Sequence, residues 1–107
     1  MKESSVQDPA LAAFEAAIRE RLGERLKQMI LYGSRARGDN DPDSDYDILL
    51  VVDEVTREVN RIIDDVAGDC FCEYSRLFPA IAVSEKEFQE RLYCPLFMNV
   101  RREGLVL

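Results

Sequence analysis

Gly33-Ser34-Arg35-Ala36-Arg37-Gly38-Asp39, followed by Asp43-Ser44-Asp45-Tyr46-Asp47-Ile48-Leu49-Leu50-Val51-Val52, decides how this chain is read. The first stretch is a glycine-flanked turn set directly after the apolar run Met29-Ile30-Leu31-Tyr32. The second opens with carboxylates two residues apart and then becomes continuously apolar. Side chains of a strand return to the same face every second residue, at about 3.3 Å per residue. Asp45 and Asp47 are therefore expected on one face, close together. Two like charges that near each other repel unless a cation lies between them. The pair suits phosphoryl or nucleotidyl transfer better than it suits a core.

That chemistry asks for a grip on a triphosphate, cations on the developing charge and an aligned hydroxyl. Gly33 lets backbone approach phosphate without a Cβ in the way. Ser34 offers a hydroxyl, and a helix beginning there turns free N–H groups toward the same anion. Asp45 and Asp47 supply the hard oxygen ligands that Mg²⁺ or Mn²⁺ prefers. Arg35 and Arg37 are candidates for phosphate oxygens, as bidentate donors, or for balancing the nearby acids Asp39, Asp41 and Asp43. Asp39 and Asp43 read as turn residues.

Working outward, Asp8-Pro9 predicts a helix start, with Asp8 as N-cap and Pro9 at the first helical position. Leu11, Phe14, Ile18, Leu22 and Leu26 recur at helical steps, with Gly23 weakening the helix without breaking it. Met29 to Tyr32 and Tyr46 to Val52 predict buried strands, joined by a short helix over Ser34 to Asp39 and a turn at Asp41-Pro42-Asp43-Ser44. Val55, Val59, Ile62, Ile63 and Val66 predict a second helix closed by Gly68. Phe71 to Val83 reads as one or two strands interrupted at Pro79. Ser84-Glu85-Lys86-Glu87 matches a capping box and opens a helix through about Leu92. Pro95 to Arg102 adds a short helix stopped by Gly104, before the apolar tail Leu105-Val106-Leu107. The order predicts one α/β domain over residues 1–107, a small mixed sheet with helices packed mainly on one side.

With 107 residues, 47% of them apolar, the chain is long enough for one core and has a globular composition. No apolar run approaches the ~20 residues that span a bilayer, and the N-terminus lacks a signal-peptide layout, so a cytoplasmic protein without a membrane partner is expected. A net charge of −7 argues against broad nucleic-acid binding, though not against a nucleotide held with Mg²⁺. Cys70, Cys72 and Cys94 lack zinc spacing and are expected as buried reduced thiols. The chain contains no histidine, so any proton acceptor near neutral pH is a carboxylate, a thiolate, a perturbed lysine or metal-bound water.

Gly-Ser-x-Ala-Arg-Gly, a polar spacer, then Ser-Asp-x-Asp and an apolar strand resembles the signature of the DNA-polymerase-beta-like nucleotidyltransferase superfamily. In so short a chain it looks most like the minimal nucleotidyltransferases of prokaryotes. The resemblance is specific over Leu31 to Val52. Val83-Ser84-Glu85-Lys86-Glu87-Phe88 and Asn99-Val100-Arg101-Arg102-Glu103-Gly104 extend it. It implies a nucleotidyltransferase fold, metal on Asp45 and Asp47, and ATP near Gly33 and Ser34. It also implies a HEPN-type toxin partner, with this chain as the antitoxin that transfers AMP to a partner hydroxyl within an oligomer containing that partner. The superfamily has a third carboxylate on the following strand. Glu73 is the only acid in Phe71-Cys72-Glu73-Tyr74-Ser75-Arg76-Leu77-Phe78; either it faces Asp45 and Asp47 and completes the site for catalysis and metal, or it caps the strand in solvent.

Two further readings compete. One is an antitoxin that neutralises its partner by binding alone, steered by its acidic charge. The other is modification of a small molecule, which a domain this small is poorly shaped to enclose.

Overall fold

The strand pair carrying the two diagnostic stretches forms the middle of the molecule in a computed structural model that describes residues 1–107. β1 (Lys2–Glu3) precedes α1 (Pro9–Leu22), β2 (Leu26–Tyr32), α2 (Ser34–Arg37) and β3 (Asp47–Val52). α3 (Arg57–Tyr74), β4 (Ala80–Ser84), α4 (Glu85–Glu90), α5 (Pro95–Glu103) and β5 (Leu105–Val106) follow. The sheet order is β1-β5-β2-β3-β4. β2 runs antiparallel to β3 and β5, whereas β3 and β4 are parallel, as are β1 and β5. The sheet is therefore mixed, and the class is α/β as expected.

Alternation along the central strands divides the core. Met29 and Leu31 of β2 and Ile48, Leu50 and Val52 of β3 face the stripes of α1 and α3. Ile30, Leu49 and Val51 point the other way, toward Phe88 of α4 and Phe97 and Val100 of α5. The larger cluster has 17 buried residues and the smaller 7, so the two long helices form the heavier layer on one face and the short α4 and α5 a lighter one on the other. No helix is long and apolar enough to cross a membrane.

Local signals placed the caps. Asp8 accepts from the Ala10 N–H at 2.7 Å, and Ser84 accepts from the Glu87 N–H at 3.1 Å. Thr56 caps α3 in the same way through the Val59 N–H.

Several boundaries differ from expectation. α1 ends at Leu22 because Gly23 takes a φ of 55°; a 3₁₀ turn over Gly23–Arg25 then swings Leu26 into β2. Val55 lies outside α3 and is exposed. Gly68 does not close α3, for it sits on the exposed face while Cys70 and Tyr74 carry the stripe onward at i+4. The expected strand over Phe71 to Val83 accordingly splits. Phe71 to Tyr74 finish α3, Ser75 turns the chain at a φ of 55°, and only Ala80–Ser84 is strand. α4 stops at Glu90, short of Leu92. The apolar tail pairs as β5, and β1 was not foreseen at all. All three thiols are free, but Cys70 alone is buried; Cys72 is exposed on α3.

Candidate active site

Tyr32 and Asp47 face each other across β2 and β3, so the end of one strand meets the start of the other. The chain leaves β2 through Gly33 at a φ of 77°, a region that a side chain disfavours. A Cβ on Gly33 would also sit 2.5 Å from Oδ2 of Asp47. Loop and acid are thus packed into direct contact, and only glycine permits it. The Gly33 carbonyl accepts from the N–H groups of Ala36 and Arg37 at 3.1 and 3.0 Å. This closes α2 as a single turn with Ser34 first. The N–H groups of a helix's first residues have no carbonyl partner inside it.

Asp47 is half-buried and Asp45 is exposed, with Tyr46 between them turned into the core. Burial pushes the Asp47 carboxyl up; the charges of Asp45 and Glu103 push the same way, and Arg37 opposes them. Burial and the Asp47 charge likewise raise the neighbouring Tyr32 phenol. Two carboxylates of which one is reluctant to ionise form a donor set that a hard divalent cation fits. Mg²⁺ characteristically takes one or two carboxylates and completes its shell with water and substrate phosphates.

The buried Tyr46 fixes the approach to β3. Its hydroxyl donates to Oδ2 of Asp8 at 2.5 Å, and its ring stacks on Phe78, which stacks on Phe14, at centroid distances of 5.2 and 4.5 Å. Burial together with the Asp8 bond pushes the phenol up to about 12. Burial alone would raise the Asp8 carboxyl, but the Tyr46 hydroxyl, the Ala10 and Leu11 N–H groups and Arg35 bring it below its ordinary value.

The two arginines read as phosphate ligands behave differently. Arg35 lies over the Tyr46 ring, 4.4 Å from its centroid. It donates to the carbonyls of Pro42 and Ser44 at 2.9 Å. These bonds hold the loop that presents Asp45. Arg37 pairs with Asp39 at 3.1 Å and with both carboxylate oxygens of Glu103 at 3.1 and 3.3 Å. Asp43 pairs with Arg76 at 3.4 Å, a turn residue as read.

Glu73 stands on the last turn of α3, exposed, rather than on a strand. It is absent from the charges acting on Asp47. The strand beside β3 is Ala80-Ile81-Ala82-Val83-Ser84, which carries no acid, and no three acidic or thiol side chains gather as a metal-holding group. The acid that does reach the loop is Glu103, whose Oε1 accepts from the Gly33 N–H at 3.1 Å. Sequence reasoning missed it because 70 residues separate the pair. The signal was the apolar tail: reading Leu105–Val106 as a strand beside β2 would have carried Glu103 to the loop.

Comparison with known proteins agrees with this geometry. Residues 12–97 match the nucleotidyltransferase domain family. A protein of Methanocaldococcus jannaschii, provisionally named a protein adenylyltransferase, is 34% identical over 101 residues, covering 94% of this chain and 97% of its own. A second such protein from the same organism is 42% identical over 52 residues, 47% of this chain and 52% of its own. Among solved structures, a toxin–antitoxin complex with AMP-PNP has a chain superposing with a TM-score of 0.56 at 15% identity, over 87% of this chain and 68% of that one. A provisionally named nucleotidyltransferase of Sulfolobus solfataricus gives 0.51 at 17%, over 95% and 88%. The family match spans most of the residues and includes both the glycine loop and the acidic pair, and the chain belongs to the nucleotidyltransferase domain family.

Proposed function

We propose that this protein transfers AMP from ATP to a hydroxyl of a partner protein, forming the bond to the α-phosphorus as pyrophosphate leaves, and that the partner is a HEPN-type toxin which the transfer silences. The observation that carries the reading is the contact between Gly33 and Asp47, which joins a phosphate-accommodating turn and a carboxylate pair in one site. Asp45 and Asp47 would hold Mg²⁺ or Mn²⁺, whose charge offsets that developing on the transferred phosphoryl group. Gly33 and Ser34 contact the triphosphate, Arg37 supplies a cation beside it, and Arg35 keeps the Asp45 loop in place. The relative provisionally named a protein adenylyltransferase supports a protein acceptor. The toxin–antitoxin neighbour with AMP-PNP supports the nucleotide and the kind of partner. A surface carrying seven excess negative charges favours a basic partner.

The test is radiolabelled ATP with the product of the adjacent gene and Mg²⁺ or Mn²⁺. Label on the partner is expected with the native protein and none with Asp45→Ala or Asp47→Ala. An unlabelled partner under both metals sinks the proposal.

One observation favours a second reading, an antitoxin acting by association alone. β4 offers no third carboxylate and Glu73 faces solvent. Loss of a general base costs roughly 10²–10⁴ in rate. If the Asp45→Ala, Asp47→Ala double variant still neutralises the toxin, association is sufficient and transfer is not the antitoxin activity.

A further inference from the structure

Glu103 holds the same donors that a phosphate would use. Its Oε1 accepts from the Gly33 N–H at 3.1 Å, and its two oxygens take Nη1 of Arg37 at 3.3 and 3.1 Å. The side chain is only 17% exposed. Its backbone is fixed, since Gly104 N–H bonds the Val100 carbonyl and Leu105 pairs with Leu31 of β2. The contact is therefore a built one, from an element that approaches the loop only in the folded chain.

The surroundings favour an anion at this place. A cleft of about 590 Å³ is lined by Lys2, Arg37, Arg101, Arg102 and, as its one acid, Glu103. Lys2, Arg101 and Arg102 take part in no ion pair, and Nη1 of Arg101 is buried without a hydrogen-bond partner. In a chain of net charge −7 this is a local concentration of positive charge. It attracts an anion more strongly than the molecule as a whole does.

We propose that Glu103 is an internal competitor of the nucleotide, holding the Gly33 N–H and the Arg37 guanidinium until a substrate phosphate takes them. This rests on the nucleotide-transferring role given above. A phosphate oxygen that takes the Gly33 N–H competes with the Glu103 carboxylate already on it, and beside Arg37, which pairs with Asp39 as well as Glu103, a phosphate is a third anion on one guanidinium. Binding therefore exchanges one for the other and releases the end of α5. The competition lowers nucleotide affinity and links occupancy of the loop to the C-terminal helix. Chain residues alone make the contact, so removing the charge acts on binding before any chemistry.

The experiment is calorimetric titration of AMP-PNP with Mg²⁺ into the native protein, Glu103→Gln, Glu103→Ala and Glu103→Asp, with the Gly33 amide resonance followed by NMR. Glu103→Gln and Glu103→Ala are expected to bind at least ~5-fold tighter, within the ordinary range of coupling between sites. Glu103→Asp stays near the native affinity. The Gly33 amide should move on substitution alone, and in the native protein it should move again on adding nucleotide. Equal or weaker binding in both neutral variants, with the native protein still binding, overturns the proposal and leaves the transferase reading intact. Absence of binding by every form, the native included, overturns both readings. Circular dichroism of each variant separates lost folding from lost binding: an unfolded Glu103→Ala leaves the decision to Glu103→Gln, which keeps the side-chain volume but carries no negative charge to hold the Gly33 N–H and Arg37 against a phosphate.

Discussion

At the scale of single residues, Gly33 and Asp47 fix the site by excluding alternatives. Gly33→Ala forces a Cβ against Oδ2 of Asp47 in a backbone region it disfavours. The expected cost is about 1–3 kcal/mol of stability together with loss of AMP-PNP binding, read by thermal melts and calorimetry. Asp47 makes the opposite prediction for stability. Burial, Asp45 and Glu103 raise its folded pKa, so its contribution is fully present below the ordinary value of 3.8 and is lost as pH rises through the folded value. Asp47→Asn should therefore melt higher than the native protein at pH 7 without metal, and the gap should close as pH falls below that value. Added Mg²⁺ should narrow it too. A melting temperature lower at neutral pH would contradict this account.

The elements are held in place by caps and by one bond between them. The Tyr46 hydroxyl on Asp8 ties the start of α1 to the approach to β3. Tyr46→Phe removes a hydrogen bond to a charged group, worth about 1.5–3 kcal/mol, and urea denaturation at pH 7 reads the loss. Its pH signature has two ends. The folded Asp8 pKa is lowered, so its stabilisation is present above 3.8 and lost as pH falls through the folded value. The folded Tyr46 pKa is raised from 10.0 to about 12, so stability is present below 10 and declines as pH rises toward 12. Both slopes should flatten in Tyr46→Phe. Gly68 tests the helix itself. It is exposed inside α3 with nothing within 4 Å of a built Cβ, so Gly68→Ala should add about 0.5–1 kcal/mol. A destabilised variant would mean that the helix does end there, as its glycine had suggested from sequence.

Across the whole molecule, three aromatic rings from distant segments make the joint behind the site. Phe14 of α1, Phe78 after α3 and Tyr46 before β3 stack in succession, and Phe78 is 4% exposed. Phe78→Ala should cost about 3–5 kcal/mol in urea unfolding. It should also weaken AMP-PNP binding, since the loop bearing Asp45 loses its backing; unchanged binding in a folded variant would separate the joint from the site. The sheet has the same long-range character: β5, the last element of the chain, pairs with β2 near its start.

Local chemistry is legible in the order of residues alone. Asp8, Ser84 and Pro9 announce helix starts, period-two and period-three-to-four patterns announce the central strands and stripes, and the glycine loop with Asp45 and Asp47 announces the family. These signals are short-range because caps, turns and side-chain alternation act within a few residues. The tertiary structure decided what depends on distance along the chain. It continued α3 past Gly68 because Cys70 and Tyr74 had a core to enter, and so removed Glu73 from a strand. It brought Glu103 to Gly33 through the pairing of β5 with β2, and turned Arg35 onto Tyr46 and the loop carbonyls. Contacts made across the sheet leave no periodic trace in sequence, because each partner satisfies only its own local pattern.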